Sequence, residues 1–176
     1  MRYVALLRGI NVGGNTMIKM EELRRTFEAL KFENVTSYIN SGNLAFDVSR
    51  PSAETKLVSE IESAIEKDFA KSIPVMIREQ KDIARILEDN PFEGEFESHK
   101  EMHVLFMKDE MPKDKEKQLL AHQTDDERFV VRGREIFCHL KQGVADSLLG
   151  KGFIDKKLKV SITGRNWRTV QKLAEL

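Results

Sequence analysis

Hydrophobic residues recur along the chain with two different periods, and these periods predict its strands and helices. Short apolar runs typical of buried strands alternate with segments in which apolar residues stand three or four positions apart, as on one face of a helix. Asn40-Ser41-Gly42-Asn43 lies between two of the predicted strands and is typical of a β-hairpin turn. In the first half we predict strands at 3–8, 35–39, 44–48 and 74–78, and helices over 19–31, after Pro51 and around Ile83.

The same order recurs, less regularly, in the second half. There we predict strands at 103–107, 129–132, 135–140 and 159–162, helices over 112–122 and from Trp167, and a helix-like segment at 146–158 that Gly150 and Gly152 interrupt. Strand-helix-strand-strand-helix-strand is the order of the split βαβ, or ferredoxin-like, unit. We therefore predict an α+β protein of two tandem ferredoxin-like modules packed as one unit. The modules span 1–88 and 102–176, and an acidic connector spans 89–101.

The overall charge gives no reason to expect nucleic acid or membrane as a partner, because 29 basic and 29 acidic residues cancel. The balance hides a regional difference: residues 88–127 carry a net charge of −8, and residues 128–176 carry +7. Two interpretations stay open, solvated faces that differ by chance or a basic C-terminal face that attracts an anion.

The absence of a recognisable targeting signal and the single cysteine together predict that the protein is cytoplasmic. Cys138 is the only cysteine, so no intrachain disulfide forms, as suits a reducing compartment. The first residues lack the long apolar segment of a signal peptide, and no later run is long enough to span a bilayer. We expect neither secretion nor membrane insertion.

Four segments together resemble an uncharacterised bacterial family, the domain of unknown function 1697 family. They are Leu6-Leu7-Arg8-Gly9-Ile10-Asn11-Val12-Gly13-Gly14, Tyr38-Ile39-Asn40-Ser41-Gly42-Asn43, Asn90-Pro91-Phe92 and Arg165-Asn166-Trp167-Arg168-Thr169-Val170. The resemblance runs from end to end and implies a cytoplasmic stand-alone protein. It carries no established activity.

A Gly-rich rim is the first candidate site. In the predicted topology the loop 10–18, the hairpin at Ser41-Gly42 and the turn before Pro74 lie at one edge of the sheet. The N–H groups around Gly13-Gly14 favour an anion, and Arg8 adds a guanidinium that bonds phosphate or carboxylate. The alternative is that the glycines only turn the chain and Arg8 pairs with a surface carboxylate. The candidate ligand-binding residues here are Arg8, Asn11, Gly13, Gly14, Ser41 and Asn43.

The start of the last helix is the second candidate site. Thr163 is predicted to cap this helix, which would place Arg165 and Arg168 in or near its first turn, where cations oppose the helix dipole. An anion bound there by these arginines and Asn166 would explain why basic residues stand at the start of a helix. The alternative is that the arginines pair with acids of the connector. Trp167 is interpreted as a core residue, because it begins the apolar stripe of the helix.

Other chemistry finds little support. No predicted helix carries two histidines at ligand spacing, and Cys138 and His139 face opposite sides of a strand, so we predict no metal and no cofactor. Our preferred hypothesis is a binding protein for a phosphate-bearing or other anionic ligand, a small molecule or nucleic acid. An enzyme acting on a small anionic substrate and a protein-interaction module are the alternatives. Sheet-face RNA binding is disfavoured, because Tyr3 and Phe46 are the only aromatic residues on strands one and three.

Overall fold

The computed structural model describes residues 1–176 as two compact units, one formed by Met1–Arg85 with Leu173–Leu176 and the other by Ile86–Lys172. The chain is α+β, with two four-stranded antiparallel sheets. The strands are β1 Arg2–Leu7, β2 Glu33–Tyr38, β3 Asn43–Asp47, β4 Val75–Glu79, β5 Met102–Met107, β6 Glu127–Arg132, β7 Glu135–Leu140 and β8 Ile162–Asn166. The helices are α1 Met20–Ala29, α2 Glu54–Phe69, α3 Gln80–Glu88, α4 Lys113–Ala121 and α5 Trp167–Leu173.

The sheet of the first unit has the strand order β2-β3-β1-β4, and α1 and α2 pack on one of its faces. Alternate residues of β1 enter the core, where they meet apolar residues spaced along the two helices. Tyr3 and Phe46 belong to this core, stacked with ring centroids 6.0 Å apart, so neither ring is exposed on the sheet for RNA. Leu173–Leu176 joins this unit through bonds from Arg2 and Gln80 to the Leu176 carbonyl.

The connection between β2 and β3 has four residues, as the predicted strands require, but it begins one position earlier than predicted. Tyr38 pairs with Asn43, so four residues, Ile39 to Gly42, make the connection. Two of them have left-handed backbone, Ile39 at φ 48° and Gly42 at φ 85°. A β-branched residue such as isoleucine is strained in this conformation, which marks the turn as held by its surroundings.

The second unit repeats the strand order of the first, as β6-β7-β5-β8. Helix α4 contacts this sheet beside β6. Cys138 is completely buried in the core, while His139 lies on the opposite face of β7, as strand alternation predicts.

The prediction of a helix-like segment at 146–158 is mostly wrong. Residues 144–152 form turns, and only Phe153–Lys157 is helical, as a single π-helical turn. Both glycines are required by this path: a Cβ atom at Gly150 would lie 2.2 Å from the Val144 carbonyl oxygen, and Gly152 has φ 75°. The apolar residues of the segment still enter the core. Their helical spacing therefore indicated that they are buried, but not that they form a regular helix.

The strand predicted at 159–162 begins later than expected. Lys159 has φ 58°, which interrupts extended backbone, and β8 runs over Ile162–Asn166 instead. Its residues pair with β5, from Met107↔Ile162 to His103↔Asn166. The position of β8 along the chain is therefore determined by its pairing with β5, a strand that is distant in sequence.

The acidic segment 89–101 is folded onto the second unit. Phe92 is 1% exposed, with its ring 5.6 Å from the His139 imidazole and beneath the Arg128 guanidinium at 5.0 Å. Arg128 also pairs with Glu95 at 3.2 Å. The buried Phe92 side chain thus anchors this acidic segment to the second unit.

None of the helices combines the length and the apolar character that crossing a membrane requires.

Candidate functional site at the rim of the first sheet

Three segments meet at one edge of the first sheet, where β1 ends. The Leu7 N–H donates to the Gly42 carbonyl at 2.8 Å, and the Arg8 N–H donates to the Pro74 carbonyl at 3.0 Å. The loop that follows β1, the β2-β3 turn and the segment before β4 are therefore neighbours, as the predicted topology requires. We call this edge the rim.

Asn11 holds the loop in shape. Its side-chain amide donates to the carbonyls of Ile18 at 2.9 Å and Asn40 at 2.8 Å, and its side-chain oxygen accepts the Ile18 N–H at 2.7 Å. These bonds close the loop 10–18 on itself and join it to the hairpin turn. The hydrogen-bonding groups of the Asn11 side chain are thus used inside the protein, and its role is to fix the rim.

Gly13 and Gly14 reverse the chain at the tip of the loop. Their φ angles are 59° and 76°, and the Asn15 N–H donates to the Val12 carbonyl at 3.0 Å. Two successive positive φ angles are what a tight two-residue hairpin turn needs, which is the structural alternative considered for this pair.

Ser41 and Asn43 bond within the hairpin. The Asn43 side-chain amide donates to the Ser41 hydroxyl oxygen and to the Tyr38 carbonyl, both at 3.0 Å. Asn43 is fully buried. Both residues therefore stabilise the turn that contacts β1.

An open groove of about 610 Å³ lies between the loop, the hairpin turn and the start of α1. Of the predicted rim residues only Asn11 lines it. Its lining residues are Asn11, Met17, Ile18, Lys19, Met20, Glu21, Glu22 and Asn40. A cleft of this volume is within the range of small-molecule sites.

Helix α1 begins in this groove without a side-chain cap. Lys19 occupies the N-cap position, where Ser, Thr, Asp or Asn is usual, and makes no capping bond. The first N–H groups of any helix lack intrahelical partners, and the helix dipole is positive at this end. Backbone donors and an exposed ammonium group therefore stand on one side of the groove.

The groove also contains negative charge. Glu21 and Glu22 lie in the first turn of α1, and the Glu21 carboxylate pairs with Arg25 at 2.6 Å. Both carboxylates are solvent-exposed, so water and salt screen them. Charge at the groove is mixed, with one lysine facing two glutamates.

The prediction that Thr163 caps the last helix is wrong, and Arg165, predicted in or near its first turn, precedes the helix. Both residues belong to β8. Arg165 is 7% exposed, and its guanidinium donates to the Thr163 hydroxyl and the Gly164 carbonyl, each at 2.9 Å. Burial lowers the pKa of Arg165 to about 10, so the guanidinium stays charged near neutral pH.

Asn166 caps α5 in place of Thr163. Its side-chain oxygen accepts the Thr169 N–H at 2.9 Å, so the predicted ligand-binding residue is a helix N-cap. Arg168 is exposed in the first turn of α5, as predicted. Trp167 is 6% exposed and meets Phe96 edge-on at 6.0 Å, which confirms its core position.

The cysteine and the histidine with shifted pKa values, Cys138 and His103, both lie in the second unit. Burial raises the pKa of the Cys138 thiol well above its ordinary value, so the thiolate nucleophile is suppressed. Burial lowers the pKa of His103 to about 4, which leaves its imidazole neutral near pH 7. No group of three or more His, Cys, Asp or Glu side chains stands close enough together to hold a metal ion.

The structure thus divides the nine predicted site residues. Six lie at the rim of the first unit, where Asn11 alone lines the groove, and three lie in the second unit at the end of β8 and the start of α5. Sequence reasoning did not include Lys19 among the site residues. A signal existed, because the residue before the helix is a lysine where a capping side chain is usual.

Comparison with known proteins shows a family and a solved structure to which this chain is similar. The model of a family described as "Protein of unknown function (DUF1697)" matches residues 1–137. A solved structure of a conserved bacterial protein from Streptococcus pneumoniae is similar over 99% of this chain and 97% of that one, with 26% identity and a TM-score of 0.79. A search of curated proteins found no match.

Proposed function

The chain belongs to the DUF1697 family of proteins of unknown function, and from that premise we propose that it is a binding protein whose ligand places an anionic group, such as a phosphate, in the rim groove. One observation carries the proposal: α1 starts uncapped inside a groove of ligand size, with Lys19 at the N-cap. Donors and positive potential at a helix start favour an anion.

Binding is favoured over catalysis by the composition of the groove. Its lining contains no histidine, cysteine, serine or threonine. The lining side chains that could act as nucleophiles, Lys19, Glu21 and Glu22, are exposed to water, so burial does not activate them. The Asn11 bonds and the close packing of Gly42 instead hold its walls fixed, and a preformed site loses less entropy when a ligand binds.

The finer description of the fold is part of the same proposal. We assign each unit to the ferredoxin-like class, supported by the antiparallel strand orders β2-β3-β1-β4 and β6-β7-β5-β8. The protein would work in the bacterial cytoplasm, in keeping with its single, buried cysteine.

The experiment is a titration of the protein with phosphate, ribose 5-phosphate and a dicarboxylate, followed by calorimetry and by two-dimensional NMR. We expect saturable binding of a phosphate compound, with the largest shifts at the amides of residues 19–22. Binding should weaken as salt rises, because charge contributes to it.

Two charge variants test the location. Lys19→Ala should weaken binding by roughly fivefold, the size of one exposed charge near a helix start, and Glu22→Gln should strengthen it by a similar factor. Lys117→Ala, an exposed lysine on α4, is the matched control and should change nothing. No response to any anion, or equal losses from Lys19→Ala and Lys117→Ala, would overturn the proposal.

A further inference from the structure

The exposed apolar side chains of the first unit gather at the rim. Four large hydrophobic residues of the protein are strongly exposed, and three of them, Val12 at 62%, Met17 at 65% and Ile39 at 50%, lie in the two segments that border the groove. Single exposed apolar residues are common, but their concentration beside a concave surface is typical of a binding site.

Of these three residues, only Met17 lines the groove, together with the apolar residues Ile18 and Met20. Val12 and Ile39 each stand one residue from a lining residue, Asn11 and Asn40 respectively. The Asn11 bonds join the two bordering segments, so the stretches that carry these apolar residues lie side by side.

From this arrangement we infer that the ligand is a phosphate ester with a planar, largely apolar ring system, of the nucleotide class. This inference rests on the proposed function, because it assigns the anionic part of the ligand to the start of α1. The exposed apolar residues are observed independently of the helix start, and we assign the ring system of the ligand to them.

Shape and chemistry favour a flat ring over an alkyl chain. The groove is open, so it can cover one face of a ring but would leave much of a flexible chain in water. A methionine thioether is polarizable and contacts aromatic rings favourably. Size agrees too, since about 610 Å³ accommodates a nucleoside monophosphate but is large for a phosphate ion alone.

The test compares adenosine 5′-monophosphate, ribose 5-phosphate, adenosine and inorganic phosphate by calorimetry on the full chain. We expect adenosine 5′-monophosphate to bind at least tenfold more tightly than ribose 5-phosphate. Met17→Ser should remove most of that preference while leaving the affinity for ribose 5-phosphate unchanged. Ala121→Ser changes an exposed apolar residue of α4 and is the control, which should behave as the unaltered protein.

The outcomes separate the two ideas. Equal affinities for adenosine 5′-monophosphate and ribose 5-phosphate would overturn the nucleotide inference and leave anion binding intact. A preference that survives Met17→Ser would also overturn it. Binding of adenosine with no contribution from phosphate would contradict the proposed function, and the absence of binding by all four compounds would overturn both.

Discussion

Gly42 lies directly against Leu7: its carbonyl accepts the Leu7 N–H at 2.8 Å, and a Cβ atom on Gly42 would stand 2.8 Å from the Cβ of Leu7. The same Cβ atom would lie 2.9 Å from the Ile10 side chain. Gly42 also has φ 85°, which side chains disfavour. One small residue therefore allows the hairpin, the end of β1 and the loop to meet.

Replacing Gly42 with alanine should destabilise the protein by about 2–4 kcal/mol, since backbone strain and overpacking each cost on the order of 1–3 kcal/mol. Urea unfolding would measure the loss. Gly13→Ala is the matched control: its φ is 59°, yet a Cβ atom there meets nothing within 4 Å, so only the strain of about 1 kcal/mol is expected. Equal losses in the two variants would show that the contact with Leu7 is unimportant.

Replacing Asn11 should loosen the rim. Asn11→Gly keeps the left-handed backbone at φ 54° but removes three hydrogen bonds, with an expected loss of about 1–3 kcal/mol. Asn11→Asp should cost more near neutral pH, because a carboxylate has no proton to donate to the two carbonyls. Hydrogen exchange at the Ile18 amide should become faster in Asn11→Gly, which removes its acceptor. Unchanged exchange would contradict the role assigned to Asn11.

Stability should fall as the pH is lowered from about 6.5 towards 4, because of His103. Its pKa is about 4 in the folded protein, below the ordinary histidine value of 6.5, so the unfolded chain binds the proton more readily. The stabilisation is complete above pH 6.5 and lost at the folded pKa. Its full size is about 3 kcal/mol, since each pKa unit corresponds to about 1.4 kcal/mol.

The variant His103→Leu tests this assignment in urea unfolding at several pH values. The slope of the unfolding free energy between pH 6.5 and 4 should become shallower than in the unaltered protein. His122→Gln, at an exposed histidine, is the control and should keep the original slope. A slope that His103→Leu leaves untouched would assign the pH dependence to other groups.

The cap of α5 gives a prediction for the second unit. Asn166→Ala removes the acceptor of the Thr169 N–H and should destabilise the protein by about 1 kcal/mol. Asn166→Asp keeps an acceptor and adds a negative charge at the helix start, so it should be neutral or stabilising. The midpoints of thermal unfolding would rank the three proteins, and an aspartate variant as unstable as the alanine variant would exclude capping.

The sequence predicted part of the rim correctly because that part depends on strand order. Three segments meet at the edge where β1 ends, as the order of predicted strands requires. The sequence-based prediction failed at Arg165, because Thr163 is a good N-cap when only neighbours in sequence are considered. Pairing between Arg165 and Val104 placed those residues in a strand, and this partner is remote in sequence.

By itself, the sequence determined what neighbouring residues decide: alternation that buries Cys138 and turns His139 to the other face, the repeated order of elements, and the need for glycine at sharp turns. Only the tertiary structure decided that Asn11 joins two segments, that Phe92 anchors an acidic stretch, and that α1 starts uncapped in a groove. The reason is physical: periodicity and turn preference act over a few residues, whereas hydrogen bonds and packing between distant segments depend on how the chain is brought together.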